Sequence, residues 1–255
     1  MINVTCMGET KSYKENISAY EIAKEYQKYF SSPIMLCRVN KRLRELTVKL
    51  GKDAELEWLT AESGAGMKTY DRGITLVFLK ALYKERQNSG MTKATIEYGL
   101  DRAVYCKLTG CEPDEEMVHR IKERMNKYIS ANLPIIKETI STSKAKELFR
   151  SYGMEDKELL FKFRRSSGTN VYSLDGFTDY FYGYMPAFTG NLQVFDVCLY
   201  RGGLLLKFPS IVSSGKIGEF EDRVKLFNTL ESSNQQAGII GVQNVGRLND
   251  SISKG

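Results

Sequence analysis

A single histidine, His119, stands in the 255 residues of the chain, so any mechanism that needs two imidazoles from this polypeptide is excluded. No run comes near the roughly 18 consecutive apolar residues that a membrane-spanning helix requires. A membrane partner is therefore not expected. The opening stretch, MINVTCMGETKSYKEN, lacks the basic-then-apolar layout of a secretory signal. Cysteines number five, an odd count without regular spacing, which argues against a disulfide framework and suits a reducing cytoplasm. Phosphate-binding loops are incomplete. In SGAGMKT, residues 63–69, Met67 separates Gly66 from Lys68, and the segment reads as a flexible linker. In SSGKIG, residues 213–218, Ile217 stands where a Walker loop needs a hydroxyl, and Ser210 where its first glycine belongs.

What is present fits a folded protein. Apolar residues make up 42% and charged residues 27%, enough for a sizeable core with an ordinary solvated surface. The length allows one large domain or a few small ones. A net charge of +6 permits a nucleic-acid or phosphate partner without requiring one.

Along the chain, MINVTCMGETKSYKEN reads as two short strands, and Ser18 caps a helix with Tyr20, Ile22, Ala23, Tyr26 and Phe30 at helical spacing. PIMLCRVNKRLREL gives two strands around a turn at Asn40-Lys41, and DAELEWLTA another strand. Strand, strand, helix, strand, strand is a small α+β unit in β-grasp order. Beyond the linker, ITLVFLKALYKERQ is helical, and TKATIEYG with AVYCKLTG forms a strand pair. The clearest helix runs from Pro113 to Pro134, with Asp114, Glu115 and Glu116 in its first turn. IIKETIS reads as a strand, SKAKELFRSYG as a short helix, and ELLFKFRR as a strand with one apolar and one cationic face. Residues 171–209 are β-rich, and a helix lies around EFEDRVKLFNTLE.

Few residues offer chemistry. Cys106 and Cys111 are at most half of a zinc site, since zinc takes four ligands, and they read as cysteines near a strand end. His119 sits on a charged helix and reads as solvated. Lys41 and Arg42 in NKRLRE, and Arg164 and Arg165 in FKFRRSSG, are candidate phosphate or RNA contacts; the alternative is solvated strand faces. DYFYGYMPAFTG, residues 179–190, sets five aromatics among turn residues and reads as a loop across a cavity.

Several stretches together resemble the N-terminal part of threonyl-tRNA synthetases. DAELEWLTAESGAGMKTYDRGITLVFLKALY resembles the passage from their TGS domain into an editing-type second domain. IKERMNKYISANLPIIKETISTSKAKELF resembles that domain's long helix, strand and short helix, and DYFYGYMPAFTG its signature loop. In that family an HxxxH on the first helix and a CxxxH in the loop carry the metal-type residues. Laid on without gaps, these positions fall on Leu76, Lys80, Phe181 and Met185, so all four ligands are replaced. The resemblance therefore implies an editing fold without a metal and without editing catalysis.

A second resemblance covers nearly the whole chain. GMKTYDRG, IEYGLDRAVYCKL, VYSLDGFTDYFYGYMPAFTG and GIIGVQNVGRLNDSI are similar to bacterial uridine kinase-like proteins that carry a TGS domain. It implies a TGS β-grasp domain at 1–62, a linker at 63–67, a synthetase-like α+β domain at 68–210, and a tail at 211–255 leading toward a P-loop kinase domain in cis. Uridine phosphorylation, with its ATP and magnesium, would belong to that kinase domain. The residues at hand are then a non-catalytic region with a repurposed pocket for a nucleoside or nucleotide, lined by Lys80, Asp179, Tyr182, Met185 and Thr189. The alternative is an RNA- or tRNA-binding module related to threonyl-tRNA synthetase with editing lost.

Overall fold

The computed structural model describes residues 1–210 and 215–254. The second incomplete phosphate loop and the proposed tail fall partly outside them. The first sheet has the order β2-β1-β7-β4-β5, from β1 (Ile2–Cys6), β2 (Glu9–Tyr13), β4 (Ile34–Val39), β5 (Arg42–Glu45) and β7 (Ala54–Thr60). β1 and β7 run parallel, and the other neighbours are antiparallel. Asn40 and Lys41 both take positive φ, the conformation that a two-residue hairpin turn demands between β4 and β5. Helix α1 (Ala19–Tyr26) buries Ala19, Ile22, Ala23 and Tyr26 on this sheet. Ser18 and Glu21 close a reciprocal capping box at its start. A two-stranded ribbon of β3 (Ile17–Ser18) and β6 (Lys49–Leu50) completes the layer.

Helix α2 (Gly64–Ser89) then runs through residues assigned above to a linker. The correction has a local cause. The Ser63 hydroxyl accepts from the Gly66 N–H, and Gly66 packs so tightly that a Cβ there would lie 2.0 Å from the Thr60 carbonyl oxygen. Glycine is thus a seat for helix on strand, not a marker of flexibility. Residues 74–82 bury six apolar side chains of α2, and α3 (Glu115–Ser130), capped by Asp114, lies across it. Glu85 of α2 is fully buried between Arg120, 2.8 Å away, and Arg124 of α3.

Two antiparallel sheets flank α2. β10 (Ile136–Ser141), β11 (Gly168–Leu174) and β12 (Phe177–Tyr180) form one. β8 (Lys93–Leu100), β9 (Ala103–Thr109), β13 (Asp196–Tyr200) and β14 (Gly203–Lys207) form the other, in the order β13-β14-β9-β8. Helices α4 (Thr142–Ser151) and α5 (Glu155–Lys162) stack Phe149 on Phe161 with ring centroids 5.4 Å apart. ELLFKFRR is therefore mostly helix, not strand. Acidic Glu155, Asp156 and Glu158 in the first turn complement the positive end of the helix and favour it. Helices α6 (Val224–Ile239) and α7 (Val245–Lys254) follow, α7 resting on α5 at Gly246. Among the described residues no helix is long and apolar enough to cross a membrane.

Candidate functional site

The aromatic loop is nailed down at both ends. The Thr189 hydroxyl donates to the Tyr128 carbonyl (2.7 Å) and accepts from the Leu133 N–H (2.8 Å). The Gly190 N–H donates to Asn132 Oδ1 at 3.0 Å. Pro186 abuts Gly73 of α2, where a Cβ would come within 2.5 Å of the proline ring. Gly183 holds φ at +124°, a conformation that side-chain-bearing residues rarely adopt, and the Arg72 guanidinium would have to shift to admit a Cβ. Gly183→Ala is expected to cost about 1–3 kcal/mol through backbone strain alone, read as a fall in the urea midpoint at unchanged m-value.

A buried carboxylate from the first sheet holds the centre of the loop. Glu45, at the end of β5, accepts from the Tyr172 hydroxyl (2.7 Å) and the Met185 N–H (3.0 Å), and pairs with Lys137 at 3.1 Å. Burial pushes the Tyr172 phenol well above its ordinary range, and the bond to Glu45 raises it further. That phenol stays a donor. Tyr184 adds a second strap, its hydroxyl donating to the Leu43 carbonyl at 3.3 Å.

Of the five pocket candidates, Asp179 lines a cavity. The cavity, about 150 Å³, lies between α2, β8, the α4–α5 corner and β12. Asp179 is buried, and one carboxylate oxygen accepts from Lys157 Nζ and from the Tyr180 N–H (2.6 Å). Arg86 and Lys93 bring further cations to the wall, and Tyr83, Tyr152 and Phe177 supply ring surface. Asp156 Oδ1 is buried without a hydrogen-bond partner, although Lys93 Nζ stands 3.3 Å away in ion-pair range. The lining of the chamber thus combines ring surface with charge.

The other four candidates are placed elsewhere. Lys80 is spent within the chain, bonded to the Asp175 carbonyl and paired with its carboxylate at 3.1 Å. Tyr182 is 86% exposed and turns to solvent. Met185 is core, and Thr189 is a buried clasp. At the metal-type positions, Leu76 and Met185 are buried, Phe181 is half-buried, and Lys80 is a cation, so these residues do not fit a metal. His119 is exposed on α3, with Glu123 3.7 Å away. Burial raises the thiols of Cys106 and Cys111, which disfavours the thiolate that zinc needs.

The basic clusters divide. Lys41, Arg42 and Arg44 are exposed on the β4–β5 turn and edge strand, with no carboxylate partner among the described residues. Arg164 follows α5 instead of lying on a strand. Its guanidinium donates to the Tyr180 hydroxyl (3.0 Å) and covers the Phe161 and Tyr180 rings, whereas Arg165 is exposed. Lys157, Glu45 and Lys137 were missed as site residues, because their partners lie 22, 140 and 92 positions away in sequence. The acidic start of α5 was the one local signal near Lys157.

No family model matches the chain. The threonine-tRNA ligase of Syntrophotalea carbinolica is 26% identical over 199 residues, covering 76% of this chain and 31% of the ligase. That of Symbiobacterium thermophilum is 24% identical over 198 residues, 76% of this chain and 30% of the ligase. That of Rickettsia bellii is 25% identical over 210 residues, 79% and 32% respectively. The chain spans about a third of the length of these curated relatives. They carry a ligase name, and the expected uridine kinase link draws no support from them. Three quarters of this chain is similar in sequence to part of a threonine-tRNA ligase.

Proposed function

We propose that the chain is a tRNA-binding module related to the threonine-tRNA ligases, with the editing chemistry of that family lost. The observation that carries it is the sequence similarity, which extends over three quarters of the chain and names one kind of protein. Under this reading residues 1–62 are the TGS β-grasp domain, for which the mixed sheet and single helix speak, and residues 68–210 the synthetase-like domain. The replaced metal positions support the loss of hydrolysis. The exposed cations Lys41, Arg42 and Arg44 are the proposed phosphate contacts, held beside the aromatic loop by the Tyr184–Leu43 bond. Asp179 and Lys157 line the chamber that remains.

Fluorescence anisotropy with a tRNA transcript tests the reading. The affinity should fall steeply between about 50 and 200 mM salt, as counterion release requires. Replacing Lys41, Arg42 and Arg44 by alanine should flatten the log–log salt slope by about 1 for each phosphate no longer neutralised. An aminoacyl-tRNA ester should survive the titration intact. Absence of tRNA binding at low salt, or binding insensitive to salt, would overturn the proposal.

A further inference from the structure

The β13-β14-β9-β8 sheet has two unlike faces. One packs on α2 and α3 through Cys106, Leu204, Leu206 and Val197. Across the other runs a register row of Tyr98, Tyr105, Leu205 and Cys198, with Tyr200 two residues further along the same face. Tyr98 and Tyr105 stack with ring centroids 5.4 Å apart, and Tyr105 meets Tyr200 edge-on at 6.1 Å.

Helix α6 covers this face with one buried side chain, Phe227. Its ring stands edge-on to Tyr105 at 5.2 Å and to Tyr200 at 5.4 Å. Half-buried Leu230 of α6 and Phe220 ahead of it, edge-on to Tyr200 at 5.5 Å, add apolar contact, and Asn234 donates to Glu97 at 2.9 Å. The charged contacts follow one pattern twice. Glu231 accepts from the Tyr98 hydroxyl (3.1 Å) and from Lys107 Nζ (3.0 Å). Asp222, just before α6, accepts from the Tyr200 hydroxyl (2.5 Å) and from Arg201 (2.9 Å). Each carboxylate is thus received by a tyrosine hydroxyl and an adjacent cation at the rim of a ring cluster. A phosphate beside a stacked base asks for the same donors. Val224 and Leu226, by contrast, are exposed on α6 and add nothing to its grip.

We propose that the outer face of this sheet binds single-stranded RNA and is masked in this structure by residues 222–234 of the same chain, with Asp222 and Glu231 in the places of two phosphates. None of the cations of the β4–β5 turn and edge strand takes part, so the site goes beyond the tRNA reading. Bases would stack on Tyr98 and Tyr200, and the backbone would take Lys107 and Arg201. A helix with a single fully buried side chain, held otherwise by half-buried contacts and rim ion pairs, is a competitor that a polyanion can displace.

The test uses the full chain and a fluorescent oligouridylate at about 50 mM salt. Asp222→Asn with Glu231→Gln should bind about tenfold more tightly than the parent, with faster amide exchange across α6. Phe227→Ala, which removes the buried anchor, should release the same face by a second route. Adding Tyr98→Ala and Tyr200→Ala should abolish the gain. A control pair, Glu9→Gln with Glu15→Gln, removes two exposed charges elsewhere and should change little. The proposal is overturned if neither releasing variant gains affinity, if the control gains as much, or if loss of the tyrosines leaves the gain intact. Parental tRNA affinity, measured alongside, reports separately on the preceding reading.

Discussion

Replacing Glu85 with alanine should lower the unfolding free energy by about 3–5 kcal/mol, the usual cost of removing one partner from a buried ion pair. The carboxylate is wholly buried, and two arginines converge on it from α3. Its loss would leave Arg120 and Arg124, four residues apart on α3, without their shared acceptor, with Glu116 as the remaining partner of Arg120 at 3.3 Å. Burial alone would raise the Glu85 carboxyl, but the hydrogen bonds and charges of Arg120 and Arg124 outweigh it and hold the group below its ordinary value. The sign follows directly. With a depressed value in the folded state, the stabilisation is complete above the unfolded carboxyl range, about pH 4.3, and drains away as the pH falls through the folded value. Urea unfolding between about pH 3 and pH 6 should therefore show a shallower acid loss in Glu85→Gln than in the parent. Parallel profiles would refute the assignment.

The second large effect belongs to Glu45. Glu45→Ala should cost about 2–4 kcal/mol, because it orphans the buried Met185 N–H and removes the charged acceptor of Tyr172 and Lys137. Glu45→Gln keeps one acceptor oxygen and should cost about half as much. The chain holds a single tryptophan, Trp58, in the core of the first sheet, so its fluorescence reports that layer alone. In Glu45→Ala the fluorescence midpoint should separate from the circular-dichroism midpoint of the whole chain. Coincident midpoints at parental stability would show that the carboxylate holds nothing together.

Local chemistry was legible where it decided the structure by itself. Ser18 with Glu21, Asp114 before its acidic turn, and the Asn40-Lys41 turn each satisfy backbone groups within a few residues, so their elements followed from the sequence. Errors arose where a distant partner decided. Phe161 and Phe163 alternate with Lys162 and Arg164 like a strand, yet Phe161 is claimed by Phe149, and the segment coils. Gly64 and Gly66 suggested a flexible stretch until the Thr60 carbonyl filled the space a side chain would need. The site suffered most. Lys80, aimed at a ligand on the strength of the resemblance, is taken by Asp175, 95 residues away, and Tyr182 turns to solvent. Asp179 lines a cavity, with Lys157 as a partner that no spacing announced.

The Glu45 clasp also bears on how such chains can be rearranged. The carboxylate that secures the aromatic loop is donated by a strand from the opposite end of the polypeptide, across 140 positions. A graft that lifted residues 68–210 into a new host without that strand would carry a Met185 amide stripped of its acceptor and a Tyr172 phenol left with the Gly183 carbonyl alone, 3.1 Å away. The recipient would need to furnish a carboxylate at the same spot, or the transplanted loop would sag. Recombination between relatives should therefore favour crossovers outside the stretch from Glu45 to Met185, so that strand and loop are inherited as a single block.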